Sequence, residues 1–294
     1  MPFYTPTDAD ILAYERDGVV CLRQAVDPDA IARLRAGFER NLTSPSGRAS
    51  MFLDDGAAFV GIRDSETRGK YTGRRDLAAK PRFAADLDTW RAHPEFEEFV
   101  FRSPVAGMAG RMMRSGKANF FLQEIMLKDA GTGTPTPWHH DIPFFPMEGD
   151  QTCTVWIPLD PIRRENGIEY IRGSHRWGKA FLPLDMPDPK QHYGVDMSSY
   201  TPVPDIDGHR DDYAILTWDM EPGDCLVHHG YAVHGAPGNS SKQARRVFIV
   251  RWLGDDVRYR SRKHDRVAPT FPNCGLSDGA AMDCETFPVV WRDQ

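Results

Sequence analysis

Apolar positions along the chain follow two rhythms. Up to about residue 116 they recur at helical spacing, and from Asn119 onward they come as short runs broken by turns. Thr7 is placed to cap a first helix that carries Ile11, Leu12 and Tyr14 and runs to Asp17-Gly18. Val19-Val20-Cys21-Leu22 then reads as a short strand. Asp27-Pro28 opens a second helix with proline in its first turn, and Ile31, Leu34, Phe38 and Leu42, three or four residues apart, give it one apolar face. From about 43 to 92 the periodicity fades into a Gly- and Arg-rich stretch that reads as a long loop, of a length expected of a functional lid. Ser103-Pro104 starts a further helix that ends near Ser115-Gly116.

The later runs are Asn119–Lys128, Gln151–Pro158, Gly167–Ile171, Asp224–His229 and Arg245–Leu253, with Gly, Pro and Asn between them. No helical pattern separates these strands, which predicts antiparallel pairing instead of βαβ units. The expected fold is therefore mainly β: an α-helical layer packed on a double-stranded β-helix, the jelly-roll barrel also seen in cupins. A single domain over 1–294 is expected, with 1–117 as helical layer and lid, 118–260 as the β-helix core and 261–294 as a C-terminal extension.

Composition narrows the functional classes. The 294 residues carry a net charge of −6, which argues against nucleic acid or an anionic membrane as the main partner. No apolar run approaches the roughly 18 to 20 residues of a membrane helix, and the opening MPFYTPTDAD shows neither a basic nor an apolar leader segment, so a cytoplasmic location is expected. Five scattered cysteines without a CxxC pair indicate neither a disulfide framework nor a cysteine zinc site. A small molecule is the expected partner, and nothing in the sequence fixes an oligomeric state.

One segment carries chemistry. In Trp138-His139-His140-Asp141, residues two apart on a strand share a face, so His139 and Asp141 can aim an imidazole and a carboxylate at one point, while His140 either points outward or lines the pocket. A third ligand must come from elsewhere. His234, in the Gly-flanked run His234-Gly-Ala-Pro-Gly-Asn239, is the candidate, with His228 and His229 as competitors of which strand alternation lets only one face inward. Two histidines and one carboxylate leave open positions on a metal, as non-haem iron(II) oxygenases require, and do not make a closed zinc site. Arg245 heads the apolar strand Val247–Val250 and offers a fork for a carboxylate deep in a barrel, which together with iron implies 2-oxoglutarate. Arg246 faces the other side, His175 reads as a structural turn residue near the site, and the mixed charge of Arg251–Arg266 reads as a solvated face. Trp138, Phe144 and Phe145 are either core or pocket wall.

In its order of motifs the chain resembles the phytanoyl-CoA dioxygenase family of iron(II)/2-oxoglutarate oxygenases, which includes ectoine hydroxylase-like enzymes. The likeness runs from Tyr14-Glu-Arg-Asp-Gly18 through Trp138–Asp141, Val155-Trp156-Ile-Pro-Leu-Asp160, Glu165-Asn166-Gly167, Gly173-Ser174-His175 and Pro222-Gly223-Asp224 to His234-Gly235 and Arg245-Arg246. It implies iron(II) held by His139, Asp141 and His234, 2-oxoglutarate anchored by Arg245 with Gln123 and Trp156 contributing, and dioxygen as the third reactant. The implied reaction is hydroxylation of an unactivated C–H bond with release of succinate and CO2. A non-catalytic cupin-like binding protein is the alternative, as is the same oxidative chemistry run to desaturation or cyclisation. Related halogenases replace the carboxylate by a small residue, so Asp141 favours hydroxylation. Two positions depart from the family pattern: Ala236, where a hydroxyl residue often helps hold the cosubstrate, and His140, where Gln is common.

The substrate is the least legible part. Between Ile62 and Arg82 seven basic residues stand against three acidic ones, with Gly69, Tyr71 and Gly73 among them. This stretch reads either as a solvated loop or as a lid over an anionic substrate, with Phe144 and Phe145 as apolar wall.

Overall fold

The structure is a computed structural model that describes residues 4–46, 49–53, 59–61, 81–183, 197–262 and 274–293. Its first helix, α1 (Asp8–Asp17), begins at Thr7, whose hydroxyl accepts the Asp10 N–H while Asp10 accepts from the Thr7 backbone. Each partner satisfies an N–H that the first turn would leave open. Gly18 ends the helix in the left-handed region at φ +80°, where a Cβ would lie 2.4 Å from His175 Nδ1, so no larger residue fits. Strand β1 (Val19–Leu22) follows, then α2 (Pro28–Thr43), capped by the Asp27 carboxylate.

The stretch expected to be a loop over 43–92 is partly sheet. It contributes β2 (Ser50–Leu53), β3 (Phe59–Gly61) and β4 (Arg82–Leu87). The reason is visible at β4, which pairs antiparallel with the long strand β5 (Lys117–Lys128) and so gains its order from a distant partner, not from local periodicity. Helices α3 (Pro94–Arg102) and α4 (Val105–Met112) lie between them. Further along come β6 (Thr136–His139), β7 (Met147–Glu148), β8 (Thr152–Pro158), β9 (Glu169–Ile171), β10 (Ile215–Leu216), β11 (Cys225–His229), β12 (His234–Ala236), β13 (Arg245–Leu253), β14 (Arg258–Tyr259) and β15 (Val289–Arg292).

The strands form a large antiparallel sheet in the order β1-β11-β8-β13-β5-β4-β2-β3, with β15 also on β5, facing a smaller sheet in the order β10-β9-β12-β6, while β14 and β7 pair separately. This is the expected jelly-roll architecture. Helices cover the outer face of the large sheet: Leu34 and Phe38 of α2, Phe96 and Val100 of α3 and Met112 of α4 share one buried cluster with Ile125, Val155, Phe248 and Val250. Burying each such side chain stabilises the layer by roughly 1.5–3 kcal/mol. Alternation sends the other row of β13, Val247 and Ile249, to the inner face, where they pack with Trp156, Ile168 and Tyr170. Both faces of β13 are thus buried, and its inner row looks into the space between the sheets. Among the described residues no helix is long and apolar enough to cross a membrane.

Candidate metal and cosubstrate site

The small sheet sets His139 directly opposite His234, because β6 and β12 pair with those two residues in register. Their ring centroids are 4.2 Å apart. Asp141 reaches the same point by a turn and not by the strand alternation expected of it. The strand ends at His139, Asp141 takes helical backbone angles (φ −69°, ψ −38°), and its N–H donates to the Gly230 carbonyl at 3.0 Å. His140 points away, and its Nε2 accepts the Phe181 N–H at 2.8 Å.

Hydrogen bonding sets the tautomer of both outer imidazoles. His139 Nδ1 lies 2.7 Å from the Pro137 carbonyl and His234 Nδ1 lies 2.9 Å from that of Ala232. A carbonyl only accepts, so each Nδ1 carries the proton and each Nε2 presents a lone pair inward. Burial draws His139 down to about 3 and His234 to about 4, each helped by a neighbouring imidazole, so both are neutral near pH 7. Asp141 Oδ1 stands 3.8 Å from His139 Nε2 and 3.9 Å from His234 Nε2, too far for hydrogen bonds. Burial alone would raise the Asp141 carboxyl, but Arg251 and the surrounding histidines hold it well below the usual carboxylate range. Two neutral nitrogens and one anionic oxygen, mutually within 4.8 Å, are the donor set of a divalent metal centre with open positions.

The competing histidines separate by alternation along β11. His229 faces the helical side, with Nε2 3.4 Å from Asp150. His228 faces inward, bonded through Nδ1 to the Tyr170 hydroxyl at 2.9 Å, and its Nε2 lies 3.7 Å from the other carboxylate oxygen, Asp141 Oδ2. His175 is not among the residues that line the cavity: it bonds the Glu15 carbonyl near the end of α1 and its ring lies 5.2 Å from that of His229.

A cavity of about 190 Å³ opens from these residues. Its far end is cationic. Arg245 is buried there, donates to the Asn166 carbonyl, and is drawn down to about 10 by burial. Among the described residues no carboxylate pairs with it. Lys128, its register partner on β5, lines the same end and donates to the Pro237 carbonyl at 2.9 Å. Thr136 and Ala236, opposite each other on β6 and β12, complete that end, and Trp156 lines the wall.

Two sequence expectations are corrected. Gln123 does not reach the cavity: the residues of β5 that do are Leu122, Glu124, Met126 and Lys128, and period-two alternation turns Gln123 outward to accept from the Thr89 hydroxyl at 3.1 Å. Arg251 is no solvated charge. It closes the near end of the cavity, with Nη1 2.8 Å from Glu124 and Nε 3.2 Å from Asp141 Oδ2. Counting in twos from Arg245 along β13 reaches it, so the signal was present in the sequence. Arg82, counted among the lid charges, pairs with Asp129 at 2.7 Å. The rest of that basic stretch, including Arg74 and Arg75, lies outside the described residues. Arg246 does face outward, to Asp160 at 2.6 Å. Phe144 and Phe145 line the cavity, whereas Trp138 packs beside it and bonds Asp207 at 3.0 Å.

A jelly roll with this donor set between its sheets defines a metal-dependent enzyme class. Residues 14–247 match the phytanoyl-CoA dioxygenase family, and the chain belongs to it. It is 25% identical over 255 residues to a probable phytanoyl-CoA dioxygenase of Caenorhabditis elegans, covering 83% of this chain and 74% of that one. Its fold is similar to that of the non-haem, α-ketoglutarate-dependent carbocyclase SnoK from nogalamycin biosynthesis, with a TM-score of 0.70, 20% identity and coverage of 99% and 100% of the two chains. The epimerase SnoN of the same biosynthesis gives a TM-score of 0.69 at 21% identity, covering 97% and 98%.

Proposed function

We propose that the chain is an iron(II)- and 2-oxoglutarate-dependent dioxygenase that hydroxylates an unactivated C–H bond of a small organic substrate. The observation that carries this reading is the pairing of two features in one cavity: two imidazole lone pairs and one carboxylate oxygen converging at one end, and the buried Arg245, with no carboxylate partner among the described residues, at the other. His139, Asp141 and His234 would hold the iron, and Arg245 would take the distal carboxylate of 2-oxoglutarate as a two-pronged charge-assisted hydrogen bond. When bound, iron and 2-oxoglutarate supply the oxidising chemistry, with dioxygen consumed and succinate and CO2 released.

The protein's part is placement. Neutral histidines with Nδ1 protonated keep Nε2 available as ligand, and Trp156, Val247 and Ile249 keep the cavity wall apolar. Phe144, Phe145, Leu87 and Leu122 line the side beyond the metal residues, where the substrate's reacting carbon would lie against hydrocarbon. Read as a lid, the basic stretch of the sequence would favour an anionic substrate; read as a solvated loop, it leaves the substrate's charge open. The likeness in fold to a carbocyclase and an epimerase favours a second outcome for the same oxidation, ring closure or stereochemical inversion.

The test is succinate release from 2-oxoglutarate under iron(II) and oxygen, with product analysis for an added oxygen atom. Turnover that needs His139, Asp141, His234 and Arg245 supports the reading. A protein that binds metal yet never converts 2-oxoglutarate would be the non-catalytic cupin-like binder.

A further inference from the structure

The near end of the cavity holds a buried charge array that ligand binding alone does not require. Asp141 has two carboxylate oxygens in different surroundings. Oδ1 faces the Nε2 atoms of His139 and His234. Oδ2 faces the opposite way: it accepts from the Thr154 hydroxyl at 3.1 Å and from Arg251 Nε at 3.2 Å, and His228 Nε2 lies 3.7 Å from it. Arg251 in turn is held by Glu124 at 2.8 Å, and both residues are largely buried. The four groups come from different elements, since Asp141 follows β6, Thr154 is on β8, Glu124 on β5 and Arg251 on β13.

We infer that Arg251, clamped by Glu124 and assisted by Thr154, is a positioning residue that captures one oxygen of Asp141 and so presents only the other to the metal. This inference rests on the metal site proposed above. The physical reason is geometric. A buried carboxylate on a short side chain can rotate about its last bond and present either oxygen or both. Two donors fixed by a rigid sheet bind Oδ2 and remove that freedom before metal arrives. Breaking one buried charge in the chain Asp141–Arg251–Glu124 leaves its partners uncompensated, which is why the array is expected to hold as a unit. Groups that orient metal-binding side chains in this way change metal affinity typically 10- to 100-fold when removed.

The test uses the full chain, anaerobic, with Mn(II) as probe followed by its electron paramagnetic resonance signal. Arg251→Met is expected to weaken Mn(II) binding roughly 10- to 100-fold, and Thr154→Val by less. Arg251→Lys should recover part of the loss, because an ammonium supplies the charge without the fork. At saturating Mn(II) the affinity for 2-oxoglutarate should change less than about threefold, since Arg245 is untouched. A second arm avoids dependence on the folding of Arg251→Met. Asp141→Gly removes the carboxylate but leaves Arg251 and Thr154 facing the vacated space, so added formate should restore Mn(II) binding, and should restore it clearly less in Asp141→Gly combined with Arg251→Lys. Mn(II) affinity within twofold of the parent in Arg251→Met, or equal formate rescue with and without the intact arginine, overturns the inference. If His139→Ala binds Mn(II) as tightly as the parent, the metal site itself is wrong, a result distinct from either.

Discussion

Arg245 and Arg251 sit on the same face of the same strand, six residues apart, the first buried and the second largely so, yet their surroundings are opposite. Arg245 has a backbone carbonyl and, among the described residues, no carboxylate, and burial draws its proton affinity down. Arg251 lies between two carboxylates, which raise its proton affinity despite burial. A buried cation without an anion carries a solvation cost that only an incoming anion offsets. A buried cation between two anions is already compensated and serves to order them. One strand thus carries a ligand-seeking arginine at one end of the cavity and a structural one at the other.

The largest expected effect separates the two arginines by stability. Arg251→Met should lower the unfolding free energy of the metal-free protein by roughly 3–5 kcal/mol, because Asp141 and Glu124 lose their shared counter-charge, whereas Arg245→Met should leave it within about 1 kcal/mol. Urea unfolding of both variants measures this directly, and equal losses would erase the contrast. Ligand binding should then reverse the ranking. Arg245→Met should weaken 2-oxoglutarate binding roughly 100-fold, about 3 kcal/mol, by removing a charge-assisted fork.

A pH experiment probes the neutral imidazoles of the site and of His140 beside it. His139 is drawn down to about 3, and His140 and His234 to about 4, mainly by burial. Unfolded histidines take up protons near pH 6.5, so between pH 6.5 and about 4 the unfolded chain binds more protons than the folded one. Stability of the metal-free protein should therefore be full above pH 6.5 and fall on acidification, by about 3 kcal/mol for His140 alone. Denaturant midpoints that stay level from pH 7 to 4.5 would contradict the neutral, buried state of these rings.

The smallest effect concerns the Arg245 end. Ala236→Ser places a hydroxyl there and should tighten 2-oxoglutarate binding by about 1 kcal/mol or less, because Thr136 and Lys128 already supply polar groups to that end. Calorimetric titration of the serine variant resolves a gain of a few-fold, and no gain would mean that Thr136 or Lys128 already does this work.

Local rules made part of the molecule legible. Thr7, Asp27 and Gly18 act at helix ends through their own side chains or backbone freedom, so α1 and α2 could be placed from the sequence, as could the longer strands from their apolar runs. His139, Asp141, His234 and Arg245 stood out by residue type and motif order. Pairing partners decided the rest. β4 is ordered by β5, forty residues on, and no local pattern announces that. The face on which Gln123 or Glu124 lies depends on a strand register that the motif does not carry, which is why the neighbour with the carboxylate, not the amide, reaches the cavity. Sequence by itself determined which residues could serve as ligands and anchors, since that is a property of side-chain chemistry. Only the tertiary structure decided which oxygen of Asp141 remains available and which arginine stays without a counter-charge, because both depend on groups brought together from strands that are distant in the chain.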